Sequence, residues 1–234
     1  MQGISNPFKA VSEIFVRPNG VFYTLDNTSN WSWIPFFIIA VVGSLPVFIY
    51  FNNVDFTWYK DFLVNASLSD VSPAEQQAFT DQLSQPLVKW SSTIGTVIGY
   101  MVANAILAVY LMLVTRQDEK SVHGYTDWYG FTWWVTLPVL VSSVLSLVLL
   151  LLNGDPQISP SILNPLSVGT LLGVDISSPY SQICESLRLD MLWSIYLTAV
   201  GLGQWTQFNS NKAWIAASAP FVIIYTVWLF FTLF

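Results

Sequence analysis

The chain has 234 residues, of which 53% are hydrophobic and only 9% charged, with a net charge of −6. A soluble domain carries roughly 25% charged residues, so this sequence cannot coat a water-facing globule of its own size. Its 8 Lys and Arg residues leave no basic surface for nucleic acid, and one cysteine, Cys184, with one histidine, His123, supplies neither a disulfide nor the usual ligand set of structural zinc.

Residues 1–30 form a lead-in. Within it, NPFKAVSEIFVRP sets Phe8, Val11 and Phe15 on one helical face, with Lys9 and Glu13 off that face and Pro18 as a stop. This predicts an interfacial amphipathic helix or, equally, a short helix packed on the rest of the protein. From residue 31 to 234 the sequence reads as one membrane domain with five apolar runs, at 33–52, 94–114, 131–152, 190–207 and 213–234. Each approaches the roughly 20 residues that cross a bilayer as helix. Uninterrupted apolar runs lack the alternation of a closed barrel, so helix is the one way to satisfy their backbones in lipid. The expected fold is an all-α integral membrane protein, a bundle of five transmembrane helices. Pro46, Pro138 and Pro220 fall inside three of the runs and predict kinks.

Two long loops, 53–93 and 153–189, separate the runs. In the first, SPAEQQAFTDQL offers Ser72 as cap, Pro73 at the first helical position and Glu75 to complete a capping box, which predicts a short helix. Phe56, Trp58 and Tyr59 before it suit anchors at the membrane interface. The second loop carries Pro156, Pro160, Pro165 and Pro179 around NPLSVGTLLG, a patch at 164–173 too short to span and expected to dip into the interface or cap the bundle. Basic residues set the orientation: Lys9, Arg17, Arg116, Lys120 and Lys212 gather on the short connections, and Lys60, Lys89 and Arg188 on the long ones. The positive-inside rule then places the N-terminus in the cytoplasm and the C-terminus outside, in an inner membrane.

Few residues in the spans could carry chemistry. Asn104, Gln204 and Gln207 are the strongly polar ones, and an ion path needs ionisable groups at depth. Asn104 is expected to hydrogen-bond to a neighbouring helix. Gly95, Gly99 and Ala103 form a small-residue ridge at four-residue spacing, repeated by Ala199 with Gly203 and by Ala213 with Ala217; internal packing is its first explanation. Asp190 suits a helix N-terminus and Arg188 a head-group contact, so both read as punctuation. His123, near Asp118, Glu119 and Asp127, reads as a surface histidine on a charged loop. With no matched nucleophile and base, no phosphate loop and no metal set, the chain is expected to be non-enzymatic and without a cofactor.

Three stretches carry a family likeness: NPFKAVSEIFVRPNGVFYTL before the first span, YGFTWWVTLP from Tyr129 to Pro138, and LDMLWSIYLTAVGLG. The last pairs Asp190 with Trp193, one residue off a D-x-x-x-W opening, and ends in Gly201 and Gly203. Together they resemble the Yip family of polytopic membrane proteins, named for interaction with Ypt and Rab GTPases, and are nearest its bacterial branch. The resemblance implies a five-helix bundle with a cytoplasmic N-terminus. Among eukaryotic relatives the fold goes with GTPase-linked vesicle traffic, and their tyrosine-rich motif is matched here only in part. In bacterial members it goes with accessory roles beside ABC exporters. The expected function is a non-enzymatic membrane adaptor, with membrane lipids, another membrane complex or a second copy of the chain as partners. The alternative is a transporter, channel or scramblase for a lipid-like or amphiphilic compound, which requires a cavity lined by Asn104, Gln204 or tryptophans.

Overall fold

A computed structural model of the chain describes residues 4–68 and 70–233. Residues 1–3 of the expected lead-in, and Phe234 at the end of the expected last span, lie outside them. Twelve α-helices follow in order among the described residues: α1 Pro7–Glu13, α2 Pro18–Asp26, α3 Trp33–Asn53, α4 Phe56–Ser67, α5 Pro73–Gln82, α6 Gln85–Thr115, α7 Tyr125–Val135, α8 Val139–Leu152, α9 Val168–Leu172, α10 Ser181–Ser186, α11 Leu189–Trp205 and α12 Ser210–Leu233. One 3₁₀ turn, Pro160–Leu163, precedes α9.

Four stretches are long and apolar enough to cross a membrane: Trp33–Asn53, Gln85–Thr115, Tyr125–Leu152 and Ser210–Leu233. The expected run at 131–152 begins earlier, as α7, and is divided at turn residues 136–138 where Pro138 interrupts the helix. The expected run at 94–114 begins at Gln85, because nothing between Gln85 and Thr93 breaks the backbone pattern. The expected run at 190–207 is α11, which has 17 residues.

The chain divides into two compact units. Met1–Val41, Gly99–Leu140 and Leu189–Phe234 make the first, and Val42–Ile98 with Val141–Arg188 the second. In the first, α11 packs against α2, α7 and α12. Its core holds Val21, Phe22, Trp128, Phe131, Leu197 and Leu202, all at most 1% exposed. The lead-in is therefore two helices, not one. Pro18, expected to end a helix, occupies the first turn of α2, where its missing N–H costs nothing and its fixed φ suits helix entry. Ala10 and Ile14 are buried and Val11 and Phe15 pack partly against the core, while Phe8 is exposed, so the lead-in is a packed element.

In the second unit Tyr50, Phe51, Tyr59, Leu150 and Ile158 share a smaller core. Tyr50 donates its hydroxyl hydrogen to Ile158 O at 2.8 Å, and the Asp55 N–H bonds Pro156 O at 2.8 Å. Helix α4 is more than a set of anchors: Asp55 caps it by accepting from the Thr57 and Trp58 N–H groups. Ser72 and Glu75 form a capping box on α5, and the Ser72 hydroxyl and N–H hold the Glu75 carboxyl below its usual range. The proline-rich loop folds on itself. Ser167 caps α9 and donates to Glu185 at 2.8 Å, its backbone forms an antiparallel bridge with Arg188, and Gly173 ends α9 in the left-handed region.

Candidate functional site

Asp26 is the last residue of α2, where a carboxylate meets the negative end of the helix dipole and gains from a partner. His123 supplies it, with Nε2 3.0 Å from Asp26 Oδ1. The His123 side chain is 11% exposed, which corrects the expectation of a surface residue. Its ring lies over Trp205, centroids 4.2 Å apart and planes at 31°, and meets Trp128 edge-on. Two further bonds pin the histidine's loop to the last turn of α11 and the chain just after it: Lys120 Nζ donates to Gln204 O at 2.7 Å, and the Gln207 N–H to Asp118 Oδ2 at 3.0 Å.

Trp205 joins these parts. Its Nε1–H donates to Phe22 O at 3.0 Å and its ring packs on Phe131 and Trp128. Gly201, one turn earlier on α11, permits this closeness: a Cβ there would collide with the Phe131 ring and come within 3.0 Å of Phe22. Gly130 does the same on α7, where a Cβ would stand 2.5 Å from Ser32 Oγ.

Beside this cluster, wholly within the first unit, lies a cavity of about 770 Å³. Trp33, Phe36, Trp133, Trp134 and Trp205 give it an aromatic wall, while Asp26, Asn30, Ser32, His123 and Asp127 give it a polar side. Trp33 is 60% exposed and Asp127 also exposed, which brings the space to the protein surface. The lining carries two carboxylates and no Lys or Arg. Trp134 is fully buried, yet its Nε1–H has no acceptor in the structure. Unmet donors of this kind are uncommon and call for an explanation. Among the described residues no three His, Cys, Asp or Glu side chains are grouped to hold a metal ion. The arrangement can bind: an apolar space of this size with a few convergent polar groups is the usual form of a small-molecule site.

Of the residues singled out from sequence, Tyr129, His123 and Asp127 line the cavity and Gly201 stands behind Phe131 of that lining. The others lie elsewhere. Asn104 is buried, accepts from Thr136 Oγ1 at 2.9 Å and donates to Tyr100 O. Gly95, Gly99 and Ala103 are exposed, and a Cβ at either glycine would meet nothing within 4 Å. Ala199, Ala213 and Ala217 are buried, whereas Gly203 is exposed with open space around it. Trp193 packs edge-on against Phe15, Pro138 lies between α7 and α8, and Asp190 is buried in the first turn of α11, outside the cavity lining. Sequence reading missed Asp26, Trp33, Trp134 and Trp205 as site residues. Tryptophan in an apolar run and Asp in a loop are each ordinary, and only tertiary contact joins them.

The Yip1 domain family model matches residues 12–231. No curated protein and no solved structure is significantly similar to the chain.

Proposed function

We propose that this chain, which belongs to the Yip1 domain family, works in a bacterial inner membrane as a non-enzymatic adaptor for a second membrane complex, such as an ABC exporter. The observation that carries the reading is the outward small-residue face of α6. Gly95, Gly99 and Ala103 recur at four-residue spacing and are exposed, and a Cβ at either glycine would stand in open space. Lipid-facing positions gain nothing from lacking a side chain, whereas a partner helix gains close approach. The alanines of α12, by contrast, are used inside the protein.

The adaptor spans the membrane five times, with α11 as its fourth and shortest crossing, a cytoplasmic N-terminus and an outer C-terminus. Support for this orientation is the gathering of Lys9, Arg17, Arg116, Lys120 and Lys212 on short connections. The experiment is co-purification from native membranes in mild detergent, with wild type and Gly99→Leu compared. The variant fills open space, so its thermal stability should be unchanged while recovery of the partner complex falls several-fold. Equal recovery with both proteins, or wild type recovered alone where known complexes are captured, overturns the adaptor.

A second reading, handling of a lipid-like or amphiphilic compound, is favoured by the tryptophan-lined cavity. That lining includes Trp33, Trp133, Trp134 and Trp205 but neither Asn104 nor Gln204.

A further inference from the structure

The cavity wall is selective in charge. Asp26 and Asp127 line it without any Lys or Arg, so a phosphate or carboxylate ligand would meet two carboxylates and no permanently charged cation. A cation would find two carboxylates and an aromatic surface whose π faces attract positive charge. Asp26 Oδ1 lies 3.0 Å from His123 Nε2, and a carboxylate has a second oxygen for another donor or charge. The remaining aromatic wall suits an apolar tail.

We propose that this cavity is a binding site for amphiphilic organic cations, molecules with one ammonium group and an alkyl chain. The ammonium sits against Asp26 and Asp127, and the chain lies along Trp33 and Phe36. A zwitterionic phospholipid shares the ammonium but brings a phosphate that the lining cannot pair. The inference rests on the second reading above and is independent of the adaptor role.

The test is equilibrium dialysis of the full chain in phosphatidylglycerol nanodiscs, with binding to empty nanodiscs subtracted. Lauroylcholine is the probe, with monolaurin, which lacks the charge, for comparison. Saturable binding of lauroylcholine is expected, tighter than that of monolaurin. Asp26→Asn should weaken it at least about tenfold, the effect of losing one charge-assisted contact. Asp26→Asn should leave monolaurin binding unchanged, a difference that misfolding would not produce. Nanodiscs made half of phosphatidylethanolamine should leave the lauroylcholine affinity unchanged; loss of binding there would identify the occupant as membrane lipid and overturn the proposal. Equal binding of lauroylcholine and monolaurin, or no saturable binding, also overturns it. Binding without lauroylcholine flux in proteoliposomes keeps the site and removes the transport reading.

Discussion

Two glycines of the LDMLWSIYLTAVGLG stretch look alike in sequence and differ in what they do. At Gly201 a side chain would strike Phe131 and crowd Phe22, both fully buried and unable to swing away, while at Gly203 it would meet nothing. Gly201→Ala should therefore cost about 1–3 kcal/mol, as overpacking a tight core does, and lower the unfolding temperature of the purified protein. Gly203→Ala should leave that temperature unchanged or slightly raised, since Ala favours helix over Gly. Equal effects at the two positions would contradict the packing of α11 on α7 and α2. The glycines could be read from sequence as a pair, but their difference could not, because it depends on rings from two other helices. Asp26 and His123 teach the same lesson more sharply: neither lies on a periodic pattern, and the negative end of α2 is what brings a carboxylate to a histidine far along the chain.

At the scale of elements, the apolar runs were legible because bilayer length and backbone satisfaction leave little choice. Their ends were less so. Residues 85 to 93, a mixed polar and apolar stretch, belong to α6 since no Gly or Pro between Pro86 and Thr93 breaks it, and Pro18 starts a helix where it was expected to finish one. The lead-in matters most. Val21, Phe22 and Leu25 of α2 are buried against the core that α11 contributes to, and Phe22 O accepts the Trp205 indole hydrogen. Removing residues 4–26 would expose that face and leave the Trp205 donor unmet. The truncated chain is expected to aggregate or to elute polydisperse in size-exclusion chromatography after mild extraction. A monodisperse product of unchanged thermal stability would mean that α1 and α2 merely rest on the protein.

For the whole molecule, the proposed five-span topology would put the loop at 116–124 and the loop at 153–188 on opposite faces of the bilayer. Cys184 is the chain's one cysteine, so a Cys184→Ser background gives a clean reporter. Val122 is 88% exposed and Ile176 49% exposed, and neither sits in the core. A membrane-impermeant maleimide applied to intact spheroplasts should label Ile176→Cys at once and Val122→Cys only after permeabilisation. Labelling of both in intact spheroplasts, or the reverse order, would refute the orientation. The charge asymmetry that predicts it was visible in the sequence; the ligand cavity was not, since its lining is drawn from separated segments of the chain.

Helix α6, with 31 residues, and α11, with 17, are unequal in a way that bears on the bilayer itself. At about 1.5 Å per residue they extend to about 46 Å and 26 Å, against a hydrocarbon thickness of about 30 Å. The excess of α6 can stand in the head-group layer, but as the fourth crossing of the proposed topology α11 would show lipid a stripe through Leu189, Leu192 and Tyr196 too short to cover an ordinary acyl core. Such hydrophobic mismatch is relieved by local thinning at a fraction of a kcal/mol per Å. A protein with that fourth crossing would prefer thinner membrane, and in a bilayer of mixed composition that preference alone would gather it, and whatever it holds, into the thinner regions.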